Sequence, residues 1–474
     1  MNWLLLLTIF CCSQSISDKA KEKTGPEGLW LGELKLVGQK LRIVVEIKRN
    51  SSQALQGTLD SIDQSAYGIP ITTLTATSDD LSWEVSGIGA KFVGKRNADK
   101  YVGEFTQGLL KIPFVMERIE KRPGGSRPQD PKKPYPYLVE EVAYENPAAT
   151  STVHLAGTLT MPKTGGPHPA VILITGSGKQ NRDEELFNHR PFLVLADYLT
   201  RQGIAVLRVD DRGIGYSKGG TPNDTSEDFA SDVLAGVQFL SKRKEIDTRK
   251  IGLIGHSEGG MIAPMVAAKA PDQIAFLVLM AGTGVTGEEL LYLQGEKIMR
   301  AQGVADSLIK ANREVQNRIF AIVRRQKDPA LASVEIEKAY REMIPNMPAE
   351  LKAQFANDNA IKSQVYVISN PWMRYFLTYD PRPALKKVKC PVLAINGEKD
   401  LQVVPEQNLP EIEKALKAGG NSKCKFVTLP KLNHLFQTCN TGHLAEYGII
   451  NETIAPIALS TMAEWIREQT GLKK

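Results

Sequence analysis

"IGLIGHSEGG", residues 251–260, carries an apolar run into two spaced glycines that flank a single serine. The residues before it, "KIGLI", have the composition of a strand buried on both faces, and "GMIAPMVAAKA" after it reads as a packed helix. A chain that turns sharply from strand to helix through Gly255-His256-Ser257-Glu258-Gly259 holds the serine in a strained backbone conformation. Gly255 and Gly259 lack a Cβ, so neighbouring backbone can close around the turn. The serine oxygen then projects at a helix N-terminus, where the dipole favours developing negative charge. This context makes Ser257 a candidate nucleophile.

Working outward, similar apolar runs recur at 170–176, 204–210, 250–256, 274–282, 390–397 and 424–430. Helix-like stretches fall between most of them, around 191–202, 226–242, 258–270 and 406–418, with a last one at 453–468. Continuous apolar strands alternating with helices imply a mostly parallel α/β sheet covered on both sides. "YLVEEVAYE" and "TVHLAGTLTMP", just before, read as an opening antiparallel pair. Residues 284–380 interrupt the alternation. They are too long for a connecting loop and show helical spacing at Val315, Ile319, Ile322 and Val323. A helical insertion over one end of the sheet is expected there, acting as a lid that shapes the substrate pocket.

A serine nucleophile needs a base, and the base an orienting acid. "INGEKD" follows the strand at 390–397 and ends at Asp400, with Glu398 as competitor. "LPKLNH" follows the strand at 424–430 and ends at His434. The interval between them holds one helix and one strand, so both side chains can sit at the same end of the sheet. His443 is second to His434, and His256 is expected as a packed histidine facing the other side of its strand. His154, His168 and His189 precede the serine and break the order serine, acid, histidine. The oxyanion needs backbone donors. The expected ones are the N–H of Glu258 and that of Ser177, in the loop "TGSGKQNRDEE", with Gly178 next. In "VDDRGIGYSKG", Asp210, Asp211 and Arg212 are expected to brace their loop through local ion pairs.

Upstream, the pattern changes. Residues 18–120 are expected to form an antiparallel β domain, with alternating runs over 25–120. "KLRIVVEIK" puts Leu41, Ile43, Val45 and Ile47 on one face, and "LLKIPFVM" does the same with Leu110, Ile112, Phe114 and Met116. Pro113 belongs at an edge or bulge, because it donates no ladder hydrogen bond. Residues 121–136 hold five prolines and two glycines and read as a linker, leaving 137–474 as the catalytic domain. Residues 1–17, "MNWLLLLTIFCCSQSIS", read as a secretory signal peptide, with export to the periplasm or medium and no lipid anchor.

The chain has 474 residues, 42% apolar and 24% charged, which suits two or three soluble domains at about 150 residues each. The net charge of +6 is dispersed, and its densest spot, Lys132-Lys133, lies in the linker, so no nucleic-acid partner is implied. No segment beyond the N-terminal one is long and apolar enough for a membrane span. Beyond residue 17, the cysteines Cys390, Cys424 and Cys439 form no disulfide framework. No spacing for a metal, phosphate or dinucleotide appears, so neither metal nor cofactor is expected.

The strings "LITGSGKQNRDE", "RPFLVLADYLTRQGIAVLRVDDRGIGYSKG", "IGLIGHSEGG", "NPWMRYFLTYDPRPALKKVKCPVLAINGEKD" and "LPKLNHLFQ" resemble the α/β-hydrolase superfamily. More narrowly, residues 137–470 are similar to bacterial secreted esterases of the EstD type. That resemblance implies hydrolysis of a small-molecule carboxylic ester by Ser257, His434 and Asp400, and a β domain ahead of the hydrolase domain. Trp372, Tyr375 and Phe376 suit either an acyl pocket or core packing. Two rival readings stay open: a prolyl-oligopeptidase-like peptidase, with Glu335, Glu337 or Glu342 holding a substrate amine, and a non-catalytic secreted binding protein. The natural ester and the oligomeric state are open at this point.

Overall fold

The computed structural model describes residues 25–472 apart from short breaks at 37–38, 51–52, 63–65, 108–109, 121, 123–126, 150, 353–354 and 356. The expected signal peptide lies outside the described residues. The chain clusters into two compact units, whose described parts lie within 25–122 with 444–451, and within 127–443 with 452–472.

The first unit is one antiparallel sheet of nine strands: β1 (Gly28–Leu36), β2 (Gln39–Arg49), β3 (Leu55–Ser61), β4 (Ala66–Pro70), β5 (Thr73–Ala76), β6 (Asp80–Val85), β7 (Ala90–Asn97), β8 (Lys100–Gln107) and β9 (Leu110–Ile119). Their order is β4-β3-β2-β1-β9-β8-β7-β6-β5, so the last strand returns beside the first. Leu41, Ile43, Val45 and Ile47 all turn into the core, as period-two alternation requires. They meet Trp30, Trp83, Phe92, Tyr101, Phe105, Phe114 and Met116. The Trp30 and Tyr101 rings pack edge to face at 4.7 Å. Pro113 lies on β9, a strand inside the sheet, opposite Glu104 of β8, but in a stretch that is a local edge as expected. The ladder of β9 with β1 spans only Met116–Ile119, so Pro113 sits where no β1 partner needs its missing N–H.

The second unit centres on eight strands: β10 (Leu138–Asn146), β11 (Val153–Met161), β12 (His168–Ile174), β13 (Ala205–Val209), β14 (Ile246–His256), β15 (Phe276–Met280), β16 (Val392–Gly397) and β17 (Cys424–Leu429). The order is β10-β11-β13-β12-β14-β15-β16-β17. β10 and β11 pair antiparallel, as does β11 with β13, and every later pair is parallel. Helices α1 (Pro191–Arg201), α2 (Ser226–Ser241) and α3 (Glu258–Lys269) follow β12, β13 and β14. Between β15 and β16 come α4 (Gly287–Ala301), α5 (Asp306–Arg325), α6 (Pro329–Met343), α7 (Ala349–Lys352), α8 (Asp358–Ser369), α9 (Pro371–Thr378) and α10 (Arg382–Leu385). Then follow α11 (Pro405–Ala418) and α13 (Pro456–Thr470), while α12 (Leu444–Tyr447), between them in sequence, clusters with the first unit.

Alternate residues of the parallel strands feed two cores. Val171, Leu173 and Ile254 pack with α1, α13 and the helices after β15, while Ile172, Leu253 and Ile251 pack with α2, α3 and α11. The stripe Val315, Ile319, Ile322 and Val323 is the buried side of α5. The three described cysteines are free. Among the described residues, no helix is long and apolar enough to cross a membrane, and no group of three or more His, Cys, Asp or Glu could hold a metal.

Candidate active site

The turn at 255–259 has the geometry its sequence demands. Ser257 adopts φ 54° and ψ −115°, a region that favours glycine and is costly for other residues. Its N–H donates to the Met280 carbonyl at 2.8 Å, tying the turn to the end of β15. A side chain on Gly255 would collide with the Gly259 carbonyl, and one on Gly259 with the backbone of Ile174 and Thr175. Both glycines are thus forced by close backbone approach. Ser257 caps α3 and Glu258 is its first residue, so the Glu258 N–H is among the first-turn donors that have no acceptor within the helix.

Asp400 and His434 sit in the loops after β16 and β17, and the structure brings them together. His434 Nδ1 lies 2.7 Å from Asp400 Oδ2, and both residues are buried. Asp400 Oδ1 accepts from the N–H groups of Gln402 at 2.8 Å and Val403 at 2.9 Å, which fixes the carboxylate. The competitors fall elsewhere. Glu398 is exposed and accepts from the Lys431 N–H at 2.8 Å, while His443 contacts Gln302 at 2.6 Å.

The loop after β12 passes beside the serine: a Cβ on Gly176 would lie 3.4 Å from Ser257 Cβ. Ser177, the expected oxyanion donor, is the next residue. The loop is held by charged groups. Arg182 donates to Asp210 through its backbone N–H at 2.8 Å and through two side-chain contacts at 3.1 and 2.8 Å, and Arg208 pairs with Asp183. Asp211 accepts from Thr175 Oγ1 at 2.9 Å and Gln180 N–H at 2.7 Å. Burial lifts the Asp211 carboxyl to about 8, against the pull of those two donors. Arg212 is buried among Asp224, Asp228 and Asp232. Ion pairs do brace 210–212, with Arg182 coming from the loop after β12, Asp224 from further along the same connection and Asp228 and Asp232 from α2, while the Tyr216 N–H donates to Asp210 within the loop.

Two features were not read from the sequence. The Glu258 carboxyl is buried against α2 and α9, accepting at Oε1 from Ser226 Oγ at 2.6 Å and Trp372 Nε1 at 2.8 Å. Burial raises it to about 7, opposed by Ser226, Trp372 and the neighbouring Ser177 side chain. His256 corrects an expectation as well. It is buried, yet it does not turn away from the site, because its ring lies 4.8 Å from that of His434 and contacts Glu184. Glu184 hides in the charged run "RDEE", which reads as a solvated loop until the fold closes over it. Of the three insertion aromatics, Trp372 reaches Glu258 and stacks on Phe376 at 5.5 Å, while Tyr375 donates to Glu227 at 3.2 Å.

A mostly parallel eight-stranded sheet, an antiparallel second strand and a strained serine between strand and helix define an α/β-hydrolase. The chain belongs to the hydrolase family described as serine aminopeptidase, S33, which matches residues 190–438, more than half of its length. It is 27% identical over 340 residues to Esterase EstD of Thermotoga maritima, covering 70% of each chain. Among solved structures, Est1E of Butyrivibrio proteoclasticus with bound ferulic acid is 21% identical, covering 67% of this chain and 96% of that one at a TM-score of 0.39. An esterase of Pyrococcus furiosus is 16% identical, covering 73% of this chain and 97% of that one at a TM-score of 0.41.

Proposed function

We propose that this protein is a serine carboxylesterase that cleaves short- to medium-chain esters of small molecules through an acyl-enzyme. The observation that carries this reading is the pairing of a buried Asp400–His434 contact at 2.7 Å with a serine strained at a helix N-terminus. His434 Nε2 takes the Ser257 Oγ proton, while Nδ1–H donates to Asp400, which fixes the tautomer and stabilises the imidazolium. Ser257 attacks the ester carbonyl. The N–H groups of Ser177 and Glu258 receive the oxyanion, each donor worth about 10²–10³ in rate. His434 then protonates the leaving alcohol, and water releases the acid by the same steps in reverse order.

The helices between β15 and β16 act as a lid in this reading, supported by the Trp372 contact with Glu258 directly after the nucleophile. Residues 1–17 are an export signal and 18–120 an accessory domain. The Thermotoga relative, an esterase by name, supports the ester as substrate. The family description favours a second reading, an aminopeptidase. Against it, Glu335, Glu337 and Glu342 are already engaged by Arg325, Arg341 and Arg318.

The test is turnover of p-nitrophenyl acetate, butyrate and decanoate against aminoacyl p-nitroanilides, with Ser257→Ala as control. Ester cleavage that vanishes in the variant is the expected result. Faster anilide cleavage selects the aminopeptidase, and no turnover above the variant rejects both.

A further inference from the structure

A second buried carboxylate–imidazole pair stands behind the first. His256, the residue before Ser257, is 5% exposed, and Glu184 is 1% exposed. His256 Nδ1 lies 2.9 Å from Glu184 Oε1, and His256 Nε2 lies 3.0 Å from the carbonyl oxygen of His434. The same Glu184 oxygen accepts the Gly176 N–H at 2.7 Å. A carbonyl only accepts, so Nε2 carries a proton. A carboxylate likewise only accepts, so with Glu184 ionised Nδ1 is the donor toward Oε1 and the ring is an imidazolium. Burial opposes that charge, and the field and hydrogen bond of Glu184, the His434 carbonyl and the more distant Asp400 together raise the His256 pKa.

We propose that Glu184 and His256 are positioning residues that register three parts of the reaction centre to one another. The inference rests on the esterase reading above. One carboxylate oxygen holds Gly176, which leads into the oxyanion loop. Through His256 it also holds the main chain of the base, and His256 is bonded covalently to the nucleophile. Packing alone does not account for the pair, because a buried ion pair is a costly way to fill a core and an apolar pair of similar volume is often as stable or more so. Glu184 also has φ 51°, unusual for a residue other than glycine. The flanking contacts Asp183–Arg208 and Arg182–Asp210 hold the loop on either side of it in that conformation.

The substitutions separate positioning from folding. Glu184→Gln keeps an oxygen that accepts from both donors and removes the charge, whereas Glu184→Ala leaves both donors without that acceptor. Active sites are counted with a fluorophosphonate that labels Ser257, and kcat is expressed per labelled site. For Glu184→Ala the expected kcat loss is about 10²-fold with KM within about twofold, since the damage falls on reacting geometry rather than on uniform binding. Glu184→Gln should recover most of that loss. The double variant Glu184→Ala/His256→Ala should be no slower than the poorer single variant, as expected of groups acting as a unit. Nitrogen-15 spectra of histidine-labelled protein should show His256 protonated at both nitrogens at pH 7, assigned by its loss in His256→Gln. Glu184→Ala with kcat per site within about twofold of the parent overturns the proposal, and so does a loss that disappears once counted per labelled site. A parent protein whose Ser257 takes no label overturns instead the esterase reading on which it rests.

Discussion

The two sheets of this molecule bury their residues by different rules. In the eight-stranded sheet, β12 is buried at all seven positions and β15 at all five, because helices cover both faces. In the nine-stranded sheet, β7 alternates buried with exposed along most of its length, and Val93, Val102 and Val115 stay on the outer face. A sheet covered on both faces leaves only its strand ends for polar chemistry. Ser257, Asp400 and the Glu184 loop all stand there, after β14, β16 and β12, and His434 follows β17. The one-sided sheet has spare surface, and its buried polar pair at a strand end, Asp60 and Ser61 on β3, includes no histidine; Asp60 is tied up by Arg122 and the Gly68 N–H.

The contrast can be broken most sharply at the strand ends. Ser257→Ala should lower ester turnover by about 10³-fold or more, and Asp400→Asn by about 10³–10⁴, while Glu398→Gln stays within about twofold. Initial rates on p-nitrophenyl butyrate check all three. If Glu398→Gln behaves like Asp400→Asn, the acid is misassigned. The next largest effect belongs to the one-sided core. Ile43→Ala should cost about 2–4 kcal/mol in the denaturant unfolding of its own unit with kcat unchanged. A fall in kcat per folded molecule would mean that the two sheets are not functionally separate.

Glu258 gives a smaller, pH-dependent effect. Burial raises its pKa from 4.5 to about 7, so the native state holds more protons than the unfolded state between those values. Stability therefore falls as pH rises through that window, by up to about 3 kcal/mol for this group, and the penalty is complete above the folded pKa. Glu258→Gln should lessen the fall of the urea midpoint between pH 5 and 7, with the buried Asp211 carboxyl sustaining the rest, and an unchanged slope would contradict the burial argument. The smallest effect is expected at Val93→Thr on the outer face, within about 0.5 kcal/mol by thermal melting.

Much of the site was legible because its signals are local. The elbow around Ser257 is written in five consecutive residues, and Asp400 and His434 each follow an apolar strand directly. What escaped is non-local. Glu184 looks like one charge among several in "RDEE", and its burial depends on β14 and the loop of His434 arriving from far along the chain. His256 was read by strand alternation alone, which says nothing about a carbonyl 178 residues away that recruits its ring.

The backbone of Ser257 has a consequence for how this fold is kept by selection. At φ 54° and ψ −115°, any side chain is strained by about 1–3 kcal/mol, and glycine alone is not. A Ser257→Gly protein should therefore melt at a higher temperature than the parent while losing its reaction. Drift toward stability pulls this position toward glycine, and on the proposed mechanism it is demand for the chemistry that holds a serine there.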